Sequence, residues 1–432
     1  MKYAAITALV IVGVIRQSVV AQPKIVRVDT LTLDRAIALA LENHPSLQAA
    51  DANARSAAAG VTQAVSAYYP SLSANANFNR TDGVFVFNPS IQPKSQTYNN
   101  YSSGFQFQQN IIDYGRMVKR VSASQGLFDA SMADYESTRE DVVMNTEIAY
   151  FSLIQSDQVV KVNEEGVAQA EQHLREAKAN YTVGKRPQSD VTKAEVDLAN
   201  ANVEFIHARN QVQLARVGME NAMGVRPRGE YHIQRDFDVP PQSMPLDSIE
   251  SIGLRQRPDL VSARARVDAD NALVAAAWDQ NLPTVSLTSA WNWSNFDYTP
   301  LFRRWTAGLT VTLPLFQGFS IGAQVDQARA TADGARATLE VMVEAAMLDM
   351  EQNYLSLKEA DERIVASTKL VEQAEENLTL AERQYAAGVG TEIEVTDARL
   401  SLSNARITKI QALFDYNSSF VRLQRSIGTL NR

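Results

Sequence analysis

Cysteine is absent from this 432-residue chain, which excludes disulfides, thiol-ligated metal and a lipid carried on an N-terminal cysteine. Glycine (19), proline (14) and aromatics (8%) are all sparse, and with abundant alanine this composition favours helix. Basic surplus is missing too: the net charge of -8 and the lack of any Lys/Arg stripe argue against a nucleic-acid partner. After the N-terminal segment there is no apolar run of about 20 residues, so any membrane crossing has to use strands. His44, His173, His207 and His232 lack metal-ligand spacing and read as surface or capping residues. No Ser/His/Asp set or carboxylate dyad falls where a pocket is expected, which argues against catalysis and leaves no cofactor implied.

Residues 1–21 read as a secretory signal: Lys2, an apolar run from Tyr3 to Ile15, and Val19-Val20-Ala21 before Gln22. The alternative, a membrane anchor, needs a longer run than this one.

The chain is written twice. Tyr181, Gly184, Asp190, Val191, Ala194 and Gly224 recur 204 positions later as Tyr385, Gly388, Glu394, Val395, Ala398 and Gly428. Leu33, Asp34, Pro45, Leu47 and Pro70 recur at 213, as Leu246, Asp247, Pro258, Leu260 and Pro283, so the first copy is nine residues longer between Pro70 and Asn110. Units of about 200 residues are too long for a solenoid and indicate a duplicated, pseudo-symmetric architecture. The repeats span 22–228 and 229–432, with a Pro-rich linker at 225–245.

Each copy opens with a short helix stopped before Pro45 or Pro258 and an Ala-rich helix ending at Pro70 or Pro283. Strands of period two follow, at about 71–80 and 101–112, then at about 284–294 and 304–314. Leu72, Ala74, Ala76 and Phe78 alternate with Ser and Asn; Phe105, Phe107 and Ile111 alternate with Gln106, Gln108 and Asn110. The second copy offers Val285, Leu287, Trp291 and Trp293, then Trp305, Ala307, Leu309, Val311 and Leu313 against Thr306, Gly308, Thr310 and Thr312. One face is greasy and the other polar but almost uncharged, whereas a soluble half-buried sheet usually carries Lys and Glu on its wet face. Transmembrane barrel strands fit better, with Phe105, Phe107, Trp291, Trp293 and Trp305 toward lipid and the tryptophans near an interfacial girdle. Four strands cannot close a barrel, so the chain must oligomerise. Two chains give eight strands with a filled interior, and three give twelve with room for a pore.

The longest elements, 116–182 and 319–386, contain no proline, and a helix of that length runs about 100 Å. Leu357, Ala360, Ile364, Ser367, Val371, Ala374, Leu378, Ala381 and Tyr385 keep a strict heptad, matched by Leu153 through Tyr181 in the first copy. Glycine turns at Gly184 and Gly388 lead to returning helices with heptads of their own. The hairpins therefore cover about 116–224 and 319–427. The expected fold is mixed and mainly α: long antiparallel coiled-coil hairpins forming a helical barrel, plus a transmembrane β-barrel to which each chain gives four strands. A soluble periplasmic coiled-coil scaffold is the rival reading, but it needs no amphipathic strands with tryptophan rims.

This layout, with Leu31-Thr-Leu-Asp-Arg-Ala-Ile, Asn43-His-Pro-Ser-Leu, Tyr385-Ala-Ala-Gly-Val-Gly-Thr and the closing Gly428-Thr-Leu-Asn, resembles the TolC family of outer-membrane efflux proteins from about Leu31 to Asn431. The resemblance implies a homotrimeric channel-tunnel in the outer-membrane lipid of a Gram-negative cell, with a twelve-strand barrel, a long periplasmic twelve-helix tunnel and an equatorial layer. It implies docking at the tip to a periplasmic adaptor (membrane fusion) protein and an inner-membrane transporter, in drug or metal efflux or in type I secretion. The tip residues Gly184, Lys185, Gly388 and Thr391 mark the docking end. By the same resemblance the constricting acids fall at Glu394 and Asp397, the hydrogen-bonding tyrosine at Tyr385, and its acceptor at Asp190 beside Ser189. Gly390 stands where the family has a latch arginine, and Arg186 holds the equivalent place in the first copy. The bland alternative for Asp190, Glu394 and Asp397 is that of solvated acids favoured at helix N-termini.

Overall fold

The computed structural model describes residues 25–26, 30–84, 95–227, 231–234, 244–296 and 300–430. The expected signal at 1–21, much of the 225–245 linker and the tip of the longer strand loop lie outside these residues. The first copy contains β1 (Ile25–Val26), β2 (Thr30–Leu31), α1 (Leu33–Asn43), α2 (Pro45–Val65), β3 (Ser71–Val84), β4 (Ser95–Ile112), α3 (Arg116–Thr182) and α4 (Gln188–Met223). The second contains β5 (Arg226–Pro227), β6 (His232–Ile233), α5 (Leu246–Gln256), α6 (Pro258–Trp278), β7 (Thr284–Asn295), β8 (Phe302–Thr312), α7 (Ser320–Ala386) and α8 (Glu392–Ser426).

The four long strands form one antiparallel sheet in the order β3-β4-β7-β8. Register settles which side chains share a face. Ala74, Phe105, Trp291 and Trp305 lie in one cross-strand row, with Leu72, Phe107, Ser289 and Ala307 in the next. Asn75, Gly104, Asn292 and Arg304 form a row of the opposite, polar face. Gly104 is needed there: a Cβ would lie 2.3 Å from the Asn292 amide oxygen. One expectation needs correcting. The register shifts between Asn110 and Ile112, so Ile112 rather than Ile111 faces Val285 and continues the apolar row.

The greasy face is open in the single chain. Leu72, Phe105, Trp291, Trp305, Leu309 and Val311 are all exposed, an arrangement water would penalise and lipid would not. At the helix end of the sheet Tyr68, Tyr69, Tyr114, Phe316 and Phe319 are exposed as well. They supply a second aromatic rim that the strand pattern alone does not reveal.

Below the sheet, α3 and α7 each run 67 residues, about 100 Å at 1.5 Å per residue. Their returning partners α4 and α8 are about half as long, 36 and 35 residues. Above those partners, α2 packs on α3, and α6 packs on both α3 and α7. The contacts within a hairpin are apolar and small. Ala374, Leu402 and Ala405 form one cluster of α7 with α8, and Ala381, Val395 and Ala398 form the next. Alanine at these heptad positions brings the two backbones close.

Between the hairpins the seam carries a run of polar contacts, while Val421 of α8 joins the apolar cluster of α3. Along α3 and α8, Arg425 binds Asp141 at 2.7 Å and Arg406 binds Glu165 at 3.0 Å, while Gln155 meets Gln411. The two copies also close on themselves at matching points. Gly224 and Gly428 end α4 and α8 with φ of +64° and +70°, each against the junction of the copy's first two helices. A Cβ would lie 2.9 Å from His44 Cα in one copy and 2.9 Å from Arg257 Cα in the other, so backbone conformation and close approach both require glycine.

An equatorial core of Leu31, Leu39, Tyr150, Phe151, Met219 and Met223 surrounds the base of the first hairpin. Short parallel pairs, β1 with β5 and β2 with β6, lie beside it. Glu140 of α3 is fully buried nearby, with neither carboxylate oxygen hydrogen-bonded among the described residues. Burial pushes its pKa up to about 7, with Arg425 opposing the shift and Asp141 adding to it. Because the folded protein holds this proton more tightly than the unfolded chain, stability falls as pH rises from about 4.5 to about 7 and then levels off. Glu140→Gln stays neutral throughout. It is expected to gain roughly 3 kcal/mol over the natural chain at pH 8 and nothing at pH 4, measured as thermal unfolding against pH.

Candidate functional site

The two hairpin tips are built by related turns. Gly184 and Gly388 adopt φ of +73° and +78°, which lets Lys185 N–H bond Asn180 C=O and Val389 N–H bond Gln384 C=O. Gly390 is tight for a different reason: a Cβ would lie 3.0 Å from the Gln384 Cβ and the Tyr385 nitrogen. Restart of the helix differs between copies. Thr391 caps α8 in a reciprocal box in which its hydroxyl accepts from Glu394 N–H at 3.3 Å and Glu394 Oε2 accepts from Thr391 N–H at 2.8 Å. Pro187 precedes α4 and supplies no side-chain cap.

The structure sorts the expected gate residues. Glu394 has its carboxylate engaged in the cap. Asp397, one turn on, is exposed. Asp190 lies in the first turn of α4 and accepts from the Ser189 hydroxyl at 3.3 Å. Tyr385 makes no hydrogen bond to Asp190, because its ring is held elsewhere: the Arg186 guanidinium sits 4.5 Å above its centroid. Arg186 thus reaches the tyrosine across the two tips as a cation on an aromatic face. Burial raises the Tyr385 phenol above its ordinary pKa; Arg186 counteracts this, and Glu392, Asp190 and Glu176 add to it.

The centre of the site is a pair that sequence patterning misassigned. His173 is buried, not on the surface, and its Nε2 lies 2.9 Å from Glu392 Oε1. The pair sits between α3 and α8, with side chains only 5% and 6% exposed, and the second Glu392 oxygen has no partner among the described residues. The Tyr385 ring meets the His173 ring edge-on at 6.3 Å. Arg186, Tyr385, His173 and Glu392 therefore form a chain of contacts that alternates between the two hairpins. A little above it, the Thr396 hydroxyl donates to Asp197 at 3.2 Å. Of the other histidines, His44 caps α2, accepting from Ser46 N–H at 3.3 Å, and His207 and His232 are exposed. The one sequence clue to His173 was positional, since the duplication places Asn377 at its equivalent and Gln188 at that of Glu392.

A sheet with one exposed greasy face, joined to 67-residue helices whose tips are tied by polar and aromatic contacts, defines a membrane channel chain with a long extramembrane extension. The family described as OEP, outer membrane efflux protein, matches residues 36–225 and 251–429, and the chain belongs to that family. It is 22% identical to the outer membrane protein TolC of Escherichia coli, over 90% of this chain and 80% of that one. It is 23% identical to the outer membrane efflux protein BepC of Brucella suis, over 92% of this chain and 86% of that one. In structure it is similar to the Campylobacter jejuni CmeC outer membrane channel, with a TM-score of 0.82, 21% identity, and coverage of 92% of this chain and 85% of that one. The protein is thus an outer-membrane efflux channel with a long periplasmic extension, a passive conduit and not an enzyme.

Proposed function

We propose that three copies of this chain close into one channel-tunnel, the exit duct of a tripartite efflux or type I secretion system. The observation that carries this reading is the sheet itself: β3 and β8 are edge strands, and an unpaired edge is not tolerated in lipid. Pairing β8 of one chain with β3 of the next satisfies both edges, and three chains give a twelve-strand barrel wide enough for a water-filled lumen. The helices support the same closure. Val196, Val203 and Val217 on α4, and Val341, Leu348 and Leu355 on α7, are exposed at heptad-related spacing. These helices flank α3 and α8 on either side, so each offers an apolar stripe to a neighbouring chain.

At the tips, closure gathers Asp190, Glu394 and Asp397 into an acidic constriction, and the buried His173–Glu392 pair holds the two hairpins together above it. The tip turns, with Gly184, Lys185, Gly388 and Thr391, are where a periplasmic adaptor and an inner-membrane transporter engage. Bilayer recordings test the gate. Because Glu394 already serves the cap, Asp397→Ala is expected to relieve block by a multivalent cation more than Glu394→Ala, and the double variant together with Asp190→Ala to remove most of it. Unchanged block in the triple variant would take these acids out of the gate.

A further inference from the structure

β8 carries two arginines in succession, and strand alternation sends them to opposite sides of the wall. Arg304 lies in the polar row with Asn292, whereas Arg303 is opposite Trp293 on the greasy face, two residues from Trp305. Arg303 is exposed and has no ion pair among the described residues. An arginine facing lipid is strongly destabilising at the bilayer midplane and far better tolerated near its surface, so its depth matters. The greasy face continues past Val311 to the exposed Leu313, and from Arg303 to Leu313 an extended chain rises about 33 Å, which at a tilt of about 40° covers roughly 25 Å, the height of a barrel's apolar band. With Leu313 at the periplasmic edge of the hydrocarbon, Arg303 reaches the headgroups of the opposite, outer leaflet.

We infer that Arg303, set beside Trp293 and Trp305, is a binding site for the phosphate of an anionic lipid headgroup in the outer leaflet. Guanidinium matches phosphate oxygens with a fork of donors, and the indoles are suited to the interface in which that phosphate lies. Arg80 shares the greasy face from the other edge strand, with Asp82 two residues later, and ring closure would bring β3 of the next chain beside β8, so Arg80→Gln is the control that separates the two arginines. The site is placed on β8, where Trp293 and Trp305 lie beside the arginine on the same face. It rests on the greasy face being the lipid face, and the experiment separates the two claims.

The reporters are built in: three of the four tryptophans, Trp291, Trp293 and Trp305, are on this face. The purified channel is reconstituted in phosphatidylcholine vesicles, and tryptophan quenching is titrated with brominated phosphatidylglycerol and, separately, brominated phosphatidylcholine. The expected result is about a fivefold preference for the anionic lipid, weakened by salt. Arg303→Gln should bring the preference close to one, Arg303→Lys should keep part of it, and Arg80→Gln should leave most of it. Equal quenching by the two lipids in the natural protein, or a preference unchanged in Arg303→Gln, overturns the site. Absence of quenching by brominated phosphatidylcholine would instead show that the face does not meet lipid at all.

Discussion

Leu309→Arg is expected to block membrane assembly, while Thr310→Arg, one residue further along the same strand, leaves it intact. Leu309 faces Leu287 on the greasy side, and Thr310 faces Ser286 on the polar side. Arginine on the lipid face near the bilayer midplane costs about 2–4 kcal/mol, and a ring repeats the cost in every chain. On the polar side a guanidinium stays in water, and surface substitutions of that kind shift stability by about 0.5 kcal/mol or less. The readout is the urea midpoint of the vesicle-inserted channel, together with the fraction recovered in the membrane. Thr310→Arg should in addition lower cation conductance through the lumen. Equal damage from both substitutions would mean that the two faces see the same environment.

The second large effect is expected at the buried His173–Glu392 pair. His173→Ala leaves Glu392 buried between α3 and α8 without a partner, a situation that typically costs about 3–5 kcal/mol. The tip can relieve it by parting the hairpins, since the neighbouring seam contacts are polar and worth little individually. The variant should therefore open more often in bilayer recordings than the natural channel. Duplication suggests a neutral replacement: Asn377 and Gln188 occupy the equivalent positions in the other copy, so His173→Asn with Glu392→Gln removes the buried charge and should restore closure. If the single variant gates like the natural channel, the pair is not a latch.

Periodicity made much of this architecture legible. Alternation of Leu72, Ala74, Ala76 and Phe78 with Ser and Asn is a direct consequence of side chains pointing to opposite faces of a strand. The heptad from Leu357 to Tyr385 likewise marks which side of α7 meets α8, and Leu357, Ala360, Ser367, Ala374 and Ala381 are the buried members. The bulge at Asn110 to Ile112 was not readable, because one extra residue in a ladder leaves no mark in composition. Nor was the division of α3 into an upper half against α2 and α6 and a lower half against α4 and α8, since periodicity gives a face but not its partner.

At the tip, the family resemblance grouped residues that lie near one another but implied different contacts. Asp190, Tyr385 and Arg186 do lie together, yet Tyr385 takes a cation above its ring and not a carboxylate at its hydroxyl. His173 and Glu392 escaped because a lone histidine and a helix-terminal acid each have an ordinary explanation. Only the packing of one hairpin on the other, 219 residues apart in sequence, makes them a pair.

Ring closure is tested most directly by counting chains in the purified complex. Native mass spectrometry of the detergent-released channel, with projection images of the same sample, should give three chains per particle and threefold symmetry. A conducting particle of one, two or four chains would contradict closure by β8 on β3, and with it the reading of this duplicated chain as one third of a ring.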